Sequence, residues 1–359
     1  MSDQPRGHEP DGQVPRWTPP PGAPPSVPPP PTGPMPPAPA WQQLPPEQLA
    51  RLHQPGVVPL RPLSLGDVFG GALQTMRRNP SATVGTGFLV LAVLLVPSFL
   101  GSLAVLRVGA LASEDRYLLS TLVSVLFLAL ASAALTGMIV HVVGEAVLGD
   151  RAGLGDTWRA VRGRLPALLG VLVLMSLVLA LLAVLAVVGA LLLAWTLSSV
   201  GEVAAVVAAV LAMLVLLLVV AWVGIRLSLA PAAVVLERAG PWRGLRRSWL
   251  LTTGGQGWRV VGITVLAGIL TGIFSSTVQF PVSLVTGLLV GLDPLGDAAL
   301  TSPVVIGVDH LVQLVVNAFV VPFTAGVTAL LYLDQRIRRE GLDGALVRAA
   351  QARAAARTR

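Results

Sequence analysis

Six apolar runs dominate the chain, near residues 82–106, 118–147, 167–197, 203–225, 260–290 and 304–332. Each is longer than the roughly 20 residues an α-helix needs to cross about 30 Å of hydrocarbon. The pattern predicts an all-α polytopic membrane protein with six transmembrane helices. The third run exceeds what a bilayer requires, so it must tilt, kink or extend beyond it. The fifth holds Gln279 and Pro281, where a break is expected.

Three short stretches between these runs have a different rhythm. They read GDVFGGALQTMRRNP (66–80), GDTWRAVRGRLP (155–166) and GPWRGLRRSW (240–249). Each opens on glycine, carries an aromatic within three residues, and precedes a pair of apolar runs. In the first, Val68, Phe69, Ala72, Leu73 and Met76 make an apolar face that ends in Arg77 and Arg78. In the second, Leu154, Trp158, Val161 and Leu165 form a stripe that leaves Arg159 and Arg162 aside. In the third, Trp242, Leu245 and Trp249 share a face, with Arg243, Arg246 and Arg247 pointing elsewhere. Pro241 suits a first helical turn, and Pro80, Pro166 and Gly254-Gly255 mark the stops. Amphipathic helices of this composition seat at a headgroup boundary, with tryptophan as the anchor. The chain therefore reads as three repeats of one interfacial helix plus one hairpin, which predicts a pseudo-threefold axis along the membrane normal.

Flanking segments complete the domain plan. Residues 1–62 are proline-rich and favour extended polyproline II without a core, so a disordered tail is expected there, able to recruit a cytoplasmic protein. No apolar stretch near Met1 suggests a secretory signal. The membrane domain is expected over 63–333, and a basic tail with a short helix over 334–359.

Charge sets the orientation. One set of loops holds Arg107 and Arg116 offset by Glu114 and Asp115, then Glu202, then Asp293 and Asp297. The opposite set holds nearly all the other arginines of the apolar region, from Arg77 to Arg339. The positive-inside rule places both termini in the cytoplasm, here of a plasma membrane. Anionic headgroups are the expected partner, each arginine near them contributing about 1 kcal/mol.

Composition removes several function classes. Only 12% of the 359 residues are charged, about half of what a soluble domain carries. The net charge of +7 has no folded polar domain to display it, so nucleic acid is not an expected partner. Cysteine is absent and all 25 basic residues are arginine, which excludes thiolate chemistry, a Walker lysine and a Schiff-base lysine. Neither G-x-S-x-G nor H-E-x-x-H occurs, and His141 and His310 fall near opposite leaflets. No catalytic, cofactor or metal residue is expected, and the chain reads as a non-enzyme.

Polar residues within the apolar runs are the remaining candidates, because ionisable groups in hydrocarbon cost about 2.5–3.5 kcal/mol. His141 and Glu145 lie four apart on the second run. Gln279 shares a stripe with Ser275, Ser283 and Thr286 on the fifth. Asp309, Gln313 and Asn317 follow one another at intervals of four on the sixth. Such stripes serve either as interhelical hydrogen bonds, at about 0.6 kcal/mol each, or as the wall of a solute pathway. Convergence on one cavity separates the two. Gly268/Gly272 and Gly287/Gly291 have the spacing of close helix contacts.

The run from Glu237 to Trp249, followed by GWRVVG (257–262), and the entry RPLSLGDVFGGALQTMRRNP (61–80) resemble a group of actinobacterial multi-pass proteins. These are described as similar to the membrane domain of glycerophosphoryl diester phosphodiesterases. The resemblance covers roughly residues 58–340 and implies membrane architecture. Catalysis in that enzyme family belongs to a separate soluble barrel of roughly 250 residues, so no catalytic residue carries over. The expected function is a non-enzymatic scaffold or membrane organiser. The alternative is a small-molecule or ion permease using the polar faces of helices two, five and six.

Overall fold

The computed structural model describes residues 56–108, 112–199, 201–292 and 302–357. The expected disordered tail lies outside the described residues up to position 55. Regular structure among the described residues is helical throughout: α1 (Leu65–Arg78), α2 (Thr86–Leu106), α3 (Ser113–Val147), α4 (Leu154–Arg162), α5 (Leu165–Leu197), α6 (Glu202–Leu227), α7 (Ala230–Leu236), α8 (Pro241–Thr252), α9 (Gly257–Leu292), α10 (Pro303–Glu340) and α11 (Asp343–Arg357). A π-helical turn, Ser81–Gly85, leads into α2. Six helices are long and apolar enough to cross a membrane: α2, α3, α5, α6 with α7, α9 and α10.

Local chemistry sets several boundaries. Ser64 and Asp67 form a reciprocal cap: Ser64 Oγ accepts the Asp67 N–H at 3.1 Å and the Asp67 carboxylate accepts the Ser64 N–H at 2.8 Å. That backbone bond, against the opposing effect of burial, holds the Asp67 carboxyl below its ordinary pKa. Between α6 and α7 the helix is interrupted because Pro231 has no N–H to return to the carbonyl of Leu227. Pro281, by contrast, does not break α9, which runs through it. Gly341, at φ 62°, ends α10 in the left-handed region that glycine enters without a Cβ penalty.

The helices pack in cyclic order. Each amphipathic helix lies on the second spanning helix of the preceding unit: α4 on α3, α8 on α6, and α1 on α10. Each second helix also touches the first helix of the next unit, α3 with α5, α6 with α9, and α10 with α2. The second helices meet pairwise where α3, α7 and α10 come together. This neighbour scheme is the one a threefold repeat calls for. Burial is uneven, however: 56% of the apolar window of α10 is buried, against 6% for the span containing α6. Helix α10 is the hub, and the α5–α6 hairpin lies at the periphery.

Two boundaries differ from the sequence expectation. Val57, Val58, Leu60 and Leu63 are buried in the main core, and the Val57 N–H donates to Ala146 O at 3.2 Å. The first domain boundary therefore falls before residue 56 and not at 62, because this short apolar run supplies wall for α1 and α10. It sits tightly: a Cβ on Gly71 would come within 2.4 Å of Val58 Cγ1. At the other end α10 continues unbroken past 333, since Asp334, Gln335 and Ile337 are buried against its neighbours.

The amphipathic faces also divide differently. Their buried residues are Val68, Gly71, Ala72 and Thr75 in α1, Thr157 and Val161 in α4, and Gly244, Leu245, Ser248, Leu251 and Thr252 in α8. Tryptophans that share a sequence stripe with these residues stay outside: Trp158 is 45% and Trp242 71% exposed. Small and hydroxyl-bearing residues allow the close approach that indole rings would prevent. The expected glycine contacts move as well. Gly268, Gly272 and Gly287 face open space, whereas Gly87 meets Ala318 and Gly326 meets Ala72.

Candidate functional site

Arginine-rich segments gather at one end of the bundle, called here the basic end. A cavity of about 620 Å³, lined by both polar and apolar side chains, lies in the opposite half, between α2, α3, α9 and α10. Helix α10 contributes Asp309, Gln313 and Asn317, α9 contributes Gln279, Ser283 and Thr286, α3 contributes Ser120 and Ser124, and α2 contributes Ser102. Asp309 accepts a 2.6 Å bond from the Gln313 amide, and Asn317 donates to the Gln313 carbonyl at 2.9 Å. Ser102 bonds the carbonyl of Ser120 at 3.2 Å and the hydroxyl of Ser124 at 3.2 Å, tying α2 to α3.

His310, next to Asp309, turns about 100° away and is buried against α2. Its Nδ1 lies 2.8 Å from Ile306 O, and its Nε2 lies 3.1 Å from Ser98 Oγ. A carbonyl can only accept, so Nδ1 carries a hydrogen toward Ile306 O. Phe99 packs edge-on to the ring at 5.7 Å. Toward the basic end the cavity stops at Asn317. Beyond it Phe319 is flanked by Phe88 at 6.0 Å and Phe274 at 6.3 Å.

Four of the six polar candidates thus meet in one place: Gln279, Asp309, Gln313 and Asn317. The other two do not. His141 lies outside the cavity lining, and Glu145 pairs with Arg353 of α11 at 2.6 Å. Helix α3 runs more than 30 residues, so its cavity end is the one with Ser120 and Ser124, and His141 and Glu145 sit at the far end. The serine pairs 98/102 and 120/124, four apart within apolar runs, were the signal for the missed wall.

Besides the pairing of Arg353 with Glu145 and Asp150, two ion-pair clusters stand out at the basic end among the described residues. Asp334 is 0% exposed; it accepts the Leu63 N–H at 2.8 Å and pairs with Arg338 at 2.8 Å and Arg259 at 3.1 Å. Both guanidinium groups also donate to Leu63 O, Arg338 at 2.9 Å. The second cluster joins Arg247 and Arg336 to Glu237, at 3.0 and 3.3 Å, and to Glu340. The buried Tyr332 hydroxyl donates to the same Glu237 oxygen. Tyr332→Phe is expected to lower the unfolding free energy by about 1.5–3 kcal/mol, the usual range for a bond to a charged acceptor. Chemical unfolding of the purified chain measures it.

The expected interface residues separate into two groups. Arg77, Trp158, Arg162, Trp242, Arg243 and Arg246 are exposed, as is Arg159, which pairs with Asp156. Arg78 is exposed but reaches Gly56 O at 3.5 Å. Arg247 belongs instead to the interior cluster, drawn in by the two glutamates, and Phe69 is half-buried against Phe323 at 6.0 Å. Trp249 is partly exposed and, with Trp222, brackets the Arg226 guanidinium at 5.6 and 4.6 Å, a cation–π arrangement linking α6 to α8.

Fold and site together define a multi-pass α-helical membrane protein whose bundle holds a cavity in one half and an ion-pair layer in the other. The chain belongs to the family described as Domain of unknown function (DUF7847), which matches residues 63–335. No curated protein and no solved structure matches it.

Proposed function

We propose that the chain is a non-enzymatic permease that binds a small polar solute in the cavity between α2, α3, α9 and α10. The convergence of Gln279, Asp309, Gln313 and Asn317 on one cavity carries this reading. Polar stripes serving only helix association would be spent in pairs between neighbouring helices. The cavity is concave, mixed in polarity and of the size of small-molecule sites.

By the positive-inside rule the basic end faces the cytoplasm, with the cavity reached from outside a plasma membrane. The exposed Trp158, Arg162, Trp242, Arg243 and Arg246 then lie at anionic headgroups of the inner leaflet. A scaffold role draws its support from the proline-rich segment, and the cavity has no part in it. The resemblance to a phosphodiesterase membrane domain bears on architecture alone.

Extraction of the full chain in native lipid, followed by mass spectrometry of retained small molecules, tests the proposal. Ser124→Trp places an indole in the cavity. The wild-type chain is expected to retain a polar small molecule that Ser124→Trp loses while still folding, its unfolding midpoint lowered only by the lost Ser102 contact. Identical retained profiles in the two proteins would sink the permease reading.

A further inference from the structure

We infer that the cavity takes a monovalent organic cation, an amine whose ammonium group rests on Asp309 while its hydrocarbon body lies along the apolar wall. The inference rests on the permease reading and adds the chemical class of the solute.

Charge is the first support. Among the described residues Asp309 is the sole Asp, Glu, Arg or Lys side chain lining the cavity. Among the described residues its one partner is the Gln313 amide, which occupies Oδ2 and leaves Oδ1 free. Asp309 is exposed on the first turns of α10, open to a guest, and among the described residues no arginine pairs with it. Every other cluster around an acidic residue of the bundle interior, at Glu145, Glu237, Asp334 and Glu340, contains arginine. Asp309 departs from that pattern, and it does so inside a cavity.

Hydrogen-bond polarity points the same way. The Gln313 amide is spent on Asp309, and the Asn317 amide on the Gln313 backbone carbonyl. Ser120, Ser124 and Ser283 direct their hydroxyl hydrogens to carbonyls of their own helices. What these side chains still offer to a guest is oxygen lone pairs. His310 spends both ring nitrogens on protein partners, Ile306 O and Ser98 Oγ. Gln279, which makes no hydrogen bond among the described residues, faces the α10 stripe from α9 and can accept or donate. The wall on the α10 side is acceptor-rich and singly negative, the complement of an ammonium group.

Size and lining separate an organic cation from a metal ion. Hard cations need six or more oxygens at about 2.0–2.6 Å. Among the described residues no three His, Cys, Asp or Glu side chains are placed to share a metal. A cavity of about 620 Å³ is far too large for a bare ion, and Val125, Leu128, Val282 and Val312 give it an apolar side. An alkylammonium satisfies both walls at once.

Calorimetric titration of the purified full chain with n-butylammonium, n-butyrate and sorbitol tests the assignment. Butylammonium is expected to bind the wild-type chain and to bind Asp309→Asn roughly tenfold or more weaker, with Asp309→Glu retaining part of the affinity. Asparagine is isosteric and keeps the Gln313 contact, so unfolding midpoints of the two proteins should agree. Binding of butyrate or sorbitol in place of butylammonium overturns the cation assignment and leaves the permease reading standing. So does butylammonium binding that Asp309→Asn leaves unchanged. Silence of all three probes overturns the assignment too. Only when the retained molecules of wild type and Ser124→Trp are also identical does the permease reading fall with it.

Discussion

Asp334→Ala is expected to lower the unfolding free energy by about 3–5 kcal/mol, the range for breaking a buried ion pair from one side. The carboxylate is fully buried and serves three donors, the Leu63 N–H, Arg338 and Arg259. Its removal leaves two guanidinium groups facing each other across Leu63 O with no negative charge between them. It also releases the segment before α1, whose Val57, Val58 and Leu60 fill the groove beside α10. Asp334→Asn keeps an oxygen for the Leu63 N–H and loses the charge, so a smaller loss is expected. Denaturant unfolding of the detergent-purified proteins measures both. A loss below 1 kcal/mol for alanine would mean that the cluster is solvated and contributes as surface pairs do.

Gly87→Leu carries the second large effect. A Cβ at Gly87 would stand 3.0 Å from Ala318 O and 3.3 Å from its Cα, both backbone atoms that cannot rotate away. Ala318 lies four residues before Pro322, so its carbonyl has no helical N–H to accept. The glycine backbone is packed close to this freed oxygen. A leucine must push α2 off α10, and a loss of about 1–3 kcal/mol or more is expected. Gly87→Ala should cost less, since only Cβ has to be accommodated. Because Asn317 borders the same crossing, binding in the cavity should weaken with Gly87→Leu as well. Unchanged stability for the leucine variant would show that the two helices slide apart freely at this point.

Much of the architecture was readable from run length alone. Six apolar stretches became six spanning helices, and three glycine-led amphipathic stretches became α1, α4 and α8. The order of packing follows from the same repeat. What periodicity could not divide was a helix face with protein on one flank and an open surface on the other. Val161 and Trp158 share a stripe, yet one is 1% exposed and the other 45%. Side-chain bulk, rather than hydropathy, decides which approaches the bundle.

The candidate site was partly legible for a related reason. Asp309, Gln313 and Asn317 repeat every four residues and so share one direction, which opens on the cavity. His141 and Glu145 have the same spacing but lie at the wrong end of a helix spanning Ser113–Val147. Spacing reports direction and says nothing of depth. The clusters at the basic end were hidden by sequence distance: Leu63 and Asp334 are 271 positions apart, and Tyr332 and Glu237 are 95. Arg247 looked like a headgroup residue because the glutamates that hold it come from outside its own helix.

Pro322 divides α10 between Asp309 and Asp334. The stretch on one side is fastened by paired charges to α8, α9 and the chain before α1, while the stretch on the other carries the side chains that would greet a solute. Variants of the paired charges below the proline should therefore register chiefly in unfolding, and variants of the polar side chains above it chiefly in what the cavity retains.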